Sequence, residues 1–142
     1  EELPWTSDDE NVAKWRNYSH SRFCPDPNTM ETSIQAVVGT GSAFESELDY
    51  RDLPRDVIVV IDHPRRSHHW MAPIDFDVAE LQGRETETIG VVFGGDLHVL
   101  FADSVVWTLS EETPITELLK FTSIEGATTY ERDEVLAPFR LK

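Results

Sequence analysis

Residues 94–109 read Gly94-Gly95-Asp96-Leu97-His98-Val99-Leu100-Phe101-Ala102-Asp103-Ser104-Val105-Val106-Trp107-Thr108-Leu109. Two apolar runs flank the Asp103-Ser104 pair, which is the pattern of a β-hairpin with a tight reversal. Asp suits the first central position of a primed two-residue turn. Ser at the second position has to adopt a positive φ that Gly adopts more easily. The stretch therefore predicts a hairpin that reverses at these two residues.

A two-residue turn also predicts which side chains lie opposite each other. It places Leu100 opposite Trp107 on one side of the hairpin and Phe101 opposite Val106 on the other. Both sides are then largely apolar, which is typical of strands at the centre of a sheet that is covered on both faces. We interpret the hairpin as a core element that carries no catalytic motif.

Composition sets the class of protein. A chain of 142 residues suits one domain, 1–142, and its 39% hydrophobic content, with 4 Trp and 7 Phe, is enough for a core. Its 27 acidic side chains outnumber 12 Lys and Arg, for a formal charge of −15. Such a field repels nucleic-acid phosphates and anionic membrane surfaces, so we expect neither as a partner. The sequence has no signal peptide and no apolar run of about 18 residues.

The periodicity of apolar residues predicts an α+β fold. We expect an antiparallel β-sheet of about four to five strands with flanking helices. The polar segment 127–142 is expected to be a partly mobile tail. The predicted elements are a helix over 7–18 that starts at the capping box Ser7-Asp8-Asp9-Glu10, strands over 32–38, 56–62 and 88–93, and a helix over 114–121 capped by Thr113.

Three histidines raise the question of a metal site. His63, His68 and His69 lie close together in the sequence, beside Arg65 and Arg66. A zinc site needs a fourth ligand and supporting hydrogen bonds, and the sequence identifies neither. We interpret the cluster as a solvated patch, with metal binding as the alternative.

A short acidic stretch offers a second candidate. Asp75, Asp77 and Glu80 supply carboxylates of the kind that calcium binds, although the Gly and Glu of an EF-hand are missing. The other interpretation is that Asp77 caps a short turn running to Leu81. We assign no metal or cofactor, and calcium stays open as an alternative.

Three further motifs give no catalytic signal. Cys24 has no Cys–His pattern around it and is interpreted as a small buried hydrophobe. Gly39-Thr40-Gly41 is followed by Phe44 and no helix, so we expect a turn rather than a dinucleotide site. Ser67 is not part of a Gly-x-Ser-x-Gly elbow. No residue is assigned as catalytic, and we expect no enzyme.

Several blocks of the sequence occur in an order typical of one family. They are Pro4-Trp5, Phe23-Cys24-Pro25-Asp26-Pro27, residues 32–44 (TSIQAVVGTGSAF), Val57 to Asp62, Trp70-Met71-Ala72-Pro73, Val99 to Val105 and Thr113 to Ile124. In this order they resemble a large bacterial prepilin-like family whose C-terminal motif is His-x9-Asp-Gly. Asp103 matches the Asp of that motif, whereas Phe93 replaces the His and Ser104 replaces the Gly. The chain is therefore similar to a divergent member, and no role of the His carries over.

The resemblance implies a type IV pilin-like or type II secretion pseudopilin-like head. Members of the family have a leader and a long stalk helix, and we expect this chain to lack the stalk. The implied function is non-enzymatic assembly or partner binding in the cell envelope or outside the cell, with pilus or secretion-apparatus subunits as partners. Membrane contact is then expected only through the missing helix.

Two alternatives of other classes remain at this point. One is a secreted cation- or carbohydrate-binding module that uses the acidic loops 45–56 and 75–80 together with Trp70. The other is a hydrolase that uses Cys24 or the histidine cluster.

Overall fold

The computed structural model describes residues 30–72 and 74–142. The predicted helix over 7–18, Cys24 and Pro73 lie outside the described residues. The strands are β1 Glu31–Thr32, β2 Ile34–Val38, β3 Ile58–Asp62, β4 His68–His69, β5 Phe76–Asp77, β6 Leu97–Phe101, β7 Val106–Leu109 and β8 Arg140–Leu141. The helices are α1 Ile89–Phe93, α2 Ile115–Leu119, α3 Ile124–Thr129 and α4 Arg132–Val135. Short 3-10 turns cover Ala43–Glu45, Tyr50–Asp52, Val78–Leu81 and Ala137–Phe139.

These elements form an α+β fold, as the sequence predicts, around a larger sheet than expected. Six strands pair in the order β5-β2-β3-β6-β7-β8, and β1 and β4 form a separate antiparallel pair. The predicted count of four to five strands is wrong because the edge strands β5 and β8 have two residues each, too few to show an alternating pattern. The sheet is also mixed, since β5 runs parallel to β2.

One face of the sheet holds the main core. Short helices and turns cover this face, and their apolar side chains interlock with alternate residues of the strands. The buried cluster contains Val37, Ile58, Ile61, Phe76, Leu81, Ile89, Phe93, Leu97, Val99, Phe101, Trp107, Leu109, Ile115, Leu118, Phe121 and Leu136.

The hairpin forms, but its turn differs from the predicted one. The Phe101 N–H donates to the Val105 carbonyl at 3.0 Å, and the Ser104 N–H donates to the Phe101 carbonyl at 2.9 Å. Residues 102–104 therefore make a three-residue loop, with Ser104 in the left-handed region at φ 67°. This is a type I turn followed by a bulge residue, the common three-residue hairpin. The predicted positive φ of Ser104 is confirmed, and the predicted two-residue turn is wrong.

The longer loop shifts the pairing of the strands by one residue. Val99 lies opposite Trp107, and Leu100 lies opposite Val106. Because side chains alternate between the faces of a strand, a shift of one residue changes which residues share a face. Trp107 is buried, whereas Val106 is 58% exposed. The expectation that both faces of the hairpin are covered therefore fails for the face that carries Val106.

Residues 88–93, predicted as a strand, contain the helix α1. Ile89 and Phe93 are four residues apart and fully buried, so one side of the helix faces the core. Gly94 closes the helix in the left-handed region at φ 89°. Gly adopts this conformation without strain, whereas a residue with a Cβ would be strained and would also have to displace the flexible end of the Arg65 side chain. The β-branched composition of this segment is outweighed by these tertiary contacts.

The predicted helix over 114–121 is confirmed as the shorter α2. It begins after Pro114, and the Thr113 side chain does not cap it. Instead, the Thr113 hydroxyl donates to the Ser110 carbonyl at 2.7 Å. The predicted role of Thr113 as the capping residue is wrong.

The polar segment 127–142 contains the end of α3, all of α4, a 3-10 turn and β8. Leu136 is fully buried in the main core, and Arg132 is only 5% exposed. Buried residues that attach the segment to the core thus alternate with the exposed charged residues that make its composition polar.

Arg132 joins the C-terminal segment to the hairpin. Its Nη1 donates to Asp103 Oδ1 at 2.9 Å, and its Nη2 donates to Asp103 Oδ2. Its backbone N–H donates to Asp56 Oδ2 at 3.1 Å. The guanidinium carbon lies 4.5 Å from the Phe101 ring centroid and 5.4 Å from that of Trp107. One buried cation therefore connects three segments of the chain, which are the hairpin loop, the residues just before β3, and α4.

Ser104→Gly should raise the free energy of unfolding by up to about 1 kcal/mol, because Gly adopts a positive φ without strain. Ser104→Ala is the matched control, since both variants lose the Ser104 hydroxyl that lies 3.2 Å from the Tyr50 hydroxyl. Urea unfolding monitored by circular dichroism measures both variants. Equal stabilities of the Gly and Ala variants would contradict a strained backbone at this position.

Asp103→Asn should lower the free energy of unfolding by about 3 kcal/mol, because it removes the bidentate charge partner of the buried Arg132 guanidinium and leaves only the longer contact with Asp56 at 3.4 Å. The hydrogen bonds from Arg132 hold the pKa of Asp103 below its ordinary value of 3.8. The stabilisation is therefore complete above that value and is lost as pH falls through the lowered pKa of the folded state.

Asp133→Asn makes the same chemical change in the exposed ion pair with Arg55 and should cost less than about 1 kcal/mol. Denaturant titrations of both variants at neutral and acidic pH check this difference. Equal losses in the two variants, or a gap between wild type and Asp103→Asn that persists in strong acid, would refute it.

Candidate functional site

The second face of the sheet carries a cleft of about 290 Å³ in the part of the chain that the structure describes. Ile34 of β2, Val60 of β3, Leu100 of β6 and Val106 of β7 line this cleft. Ile34 is 45% exposed and Val106 is 58% exposed. We call these four side chains the open face.

An irregularity in β3 brings Val60 to the open face. Ile58 pairs with Phe101 and Val60 pairs with Leu100, so Val59 is an extra residue in β3. Such a bulge lets Ile58 point into the main core while Val60 points to the other side. The bulge and the one-residue shift of the hairpin together place apolar residues of neighbouring strands side by side.

Polar side chains close one end of the cleft. Asp62 lies opposite His98 in the pairing of β3 with β6, and both line the cleft. The Ser33 hydroxyl donates to Asp62, and His98 Nδ1 lies 2.8 Å from Thr108 Oγ1. Within residues 30–72 and 74–142, Asp62 forms no ion pair. We call Ser33, Asp62, His98 and Thr108 the polar row.

The loop between β2 and β3 shares an apolar cluster with part of the open face. Ala43 and Leu53 of this loop belong to that second cluster, against which Val60 and Leu100 pack. The Tyr50 hydroxyl donates to the Ala102 carbonyl in the hairpin loop and anchors the β2–β3 loop there.

The polar row does not form a catalytic relay. Acyl transfer needs a nucleophile, a base and an orienting acid joined in series by hydrogen bonds. Thr108 and His98 are joined, but no hydrogen bond between His98 and Asp62 occurs among the described residues. The arrangement offers apolar contact and one carboxylate.

The structure separates the three histidines. His63 is buried, with its ring 5.0 Å from that of Phe93, and its Nδ1 accepts a hydrogen bond from the Arg65 N–H at 3.3 Å. His68 and His69 form β4 and pair with β1. No group of three His, Cys, Asp or Glu side chains that could hold a metal occurs in the described ranges. The histidine cluster is thus not assembled as a metal site, and the predicted solvated patch is wrong for His63.

The acidic stretch has local structural partners. The Asp77 side chain accepts a hydrogen bond from the Ala79 N–H at 2.9 Å and caps the 3-10 turn Val78–Leu81, as predicted. Glu80 accepts a hydrogen bond from Arg66 at 2.5 Å. Both carboxylates therefore have partners within the protein, a backbone N–H for Asp77 and a guanidinium for Glu80.

The two acidic loops meet at one place. Glu45 and Asp77 both line a polar cleft of about 320 Å³ beside Gly39 and Thr40. Trp70 is not among its lining residues. Among the described residues, the lining of this cleft contains two acidic side chains and no aromatic ring.

Two features of the structure, the open face and the buried Arg132, were not predicted from the sequence. The open face depends on the hairpin register and on the β3 bulge, and a stretch of five apolar residues does not reveal a bulge. The buried Arg132 lies in a segment that was interpreted as a tail. The only available signal for Arg132 was its spacing from Leu136, which places both residues on the inner side of one helical turn.

His63 predicts a loss of stability in mild acid. Burial lowers the pKa of His63 below its ordinary value of 6.5, and the nearby Arg66 and Arg65 act in the same direction, against Glu80. The unfolded state therefore binds more protons than the folded state below that value, so the free energy of unfolding falls as pH drops from about 7.5 to about 5.5.

His63→Phe should make this pH dependence shallower. Burial also lowers the pKa of His68, so His68→Phe serves as the comparison that removes the second contribution. Chemical denaturation at several pH values measures each slope. A slope in His63→Phe as steep as that of wild type would contradict the assignment.

None of the described helices combines the length and apolar character needed to cross a membrane. Comparison with protein-family models, with curated proteins and with solved structures finds no match to this chain.

Proposed function

We propose that this chain is the globular head of a pilin-like or pseudopilin-like envelope protein that works by assembly or partner binding and performs no catalysis. The observation that carries the proposal is the open face, an apolar strip at the centre of the sheet that the described residues leave exposed. Exposed apolar strips of this kind mark surfaces that bind another polypeptide.

The shape of the surface favours a helix as the bound element. The open face spans β2, β3, β6 and β7, which is about 14 Å at the usual strand spacing. A helix about 10 Å in diameter covers most of that width. The edges of the sheet are poor sites for strand addition, because β5 and β8 have two residues each. In the family that the sequence resembles, a stalk helix packs on the sheet, and this agrees with the proposal.

The charge of the chain supports assembly with other proteins at an envelope. A net charge of −15 keeps the head soluble and limits contact with nucleic acid and anionic lipid. The subunits of a pilus or a secretion apparatus are the partners that the resemblance implies. Residues 1–29 contain the first blocks of the resemblance and lie outside the described residues.

A designed peptide tests the open face. The probe is a 14-residue amphipathic helix, about 21 Å long, with a Leu and Ala stripe and a neutral polar side. Titration into the isotope-labelled chain should shift the NMR signals of Ile34, Val60, Leu100 and Val106. Val106→Lys should weaken binding by about tenfold or more, because it places a charge in the apolar contact.

Val91→Lys is the matched control. Val91 lies in α1 on the other side of the sheet and is 58% exposed, the same fraction as Val106. It should leave peptide binding unchanged. Equal effects of the two Lys variants, or signal shifts away from the open face, would overturn the proposed function.

A further inference from the structure

We infer that the helix bound on the open face carries a single Lys or Arg at the end of its apolar stripe and that Asp62 recognises this cation. The inference rests on the proposed function, because it specifies the chemistry of the partner that the open face binds.

The position of Asp62 gives the first step. Its side chain lines the end of the apolar cleft and is already half-buried. The Ser33 hydroxyl donates to it, and no cation pairs with it in the part of the chain that the structure describes. A helix that covers the open face displaces the water that now solvates this carboxylate.

Covering Asp62 without a new partner is costly. Removing a carboxylate from water costs several kcal/mol unless a charge and further hydrogen bonds compensate, and one neutral hydroxyl compensates only in part. A cation on the bound helix removes this cost. Lys and Arg also fit the geometry, since their apolar stems can lie along the cleft while the charged end reaches the polar row.

A second copy of this chain fits less well. Two chains of −15 repel each other, so docking of one open face on another is electrostatically unfavourable. The described lining residues of the cleft include no Lys or Arg that could pair with Asp62 of a second copy. Charge complementarity therefore favours a partner segment that places a positive charge opposite Asp62.

Twin peptides test the inference on the wild-type chain. Both have the 14-residue apolar stripe of the probe described above, and they differ only in Lys or Gln at the end of the stripe. At physiological ionic strength the Lys peptide should bind about tenfold more tightly than the Gln peptide, and this ratio should shrink as salt is added.

Variants of the chain identify the carboxylate. Asp62→Asn retains an oxygen that accepts the Ser33 hydrogen bond and should bring the ratio close to one. Glu134→Gln removes the same charge from an exposed site on α4 and should leave the ratio unchanged. Thermal unfolding establishes that both variants are folded. The wild-type ratio and its salt dependence decide the question if Asp62→Asn is not folded.

The outcomes separate the inference from the proposed function. Equal binding of both peptides, with both weakened by Val106→Lys, would overturn the inference and leave the proposed function standing. Binding of the Lys peptide that Val106→Lys does not weaken would overturn both. Glu134→Gln could also lower the ratio of Lys-peptide to Gln-peptide affinity as much as Asp62→Asn does. That result would show that the Lys peptide is attracted by the overall charge of the chain, and it would overturn the role of Asp62. Concentration-dependent dimers that Val106→Lys disrupts would identify a second copy as the occupant and overturn the inference.

Discussion

The ion pair between Arg132 and Asp103 holds the loop that joins the neighbouring strands β6 and β7. Asp103 lies in the hairpin loop, and the guanidinium of Arg132 holds both of its carboxylate oxygens. The bidentate contact keeps the three-residue loop in one geometry, and that loop sets the pairing of β6 with β7. A shift of one residue would bury Val106 and expose Trp107. The core and the open face therefore depend on the same contact.

The buried cation is stabilised from more than one side. The Arg132 Nε lies 3.4 Å from Asp56 Oδ1, a charged contact without hydrogen-bond geometry. Arg55 pairs with the same carboxylate at 3.1 Å. The rings of Phe101 and Trp107 face the guanidinium, so the charge lies against polarisable surface rather than aliphatic carbon. A buried pair without these further contacts would gain little over its desolvation cost.

The sequence predicts the parts of the fold that local patterns control. The hairpin, β3 and α2 follow from apolar runs and from the Pro114 that precedes α2, and their existence is confirmed. The hairpin register was not predictable in this way, because Asp103-Ser104 fits a two-residue turn as well as a three-residue one. In the structure, the distant Arg132 binds Asp103 in the three-residue form of the loop.

The candidate site was less accessible to sequence analysis than the fold. An exposed apolar strip looks the same in sequence as a buried one, since both consist of alternating or continuous Val, Leu and Ile. Its location depends on the bulge at Val59 and on the hairpin loop, which are non-local consequences of packing. The polar row was equally hidden, because Asp62 and His98 become neighbours only through the pairing of β3 with β6.

Phe93 and Ser104, the two positions at which the sequence differs from the motif it resembles, both have defined structural roles. Phe93, at the position of the His, is fully buried and packs against His63 and Phe76, with ring centroids 5.0 and 5.5 Å away. Ser104, at the position of the Gly, adopts the left-handed conformation that Gly favours. Phe93 thus contributes to the main core, and Ser104 supplies the left-handed residue of the hairpin loop. Asp103, between them, binds Arg132, so its carboxylate is engaged in holding the hairpin.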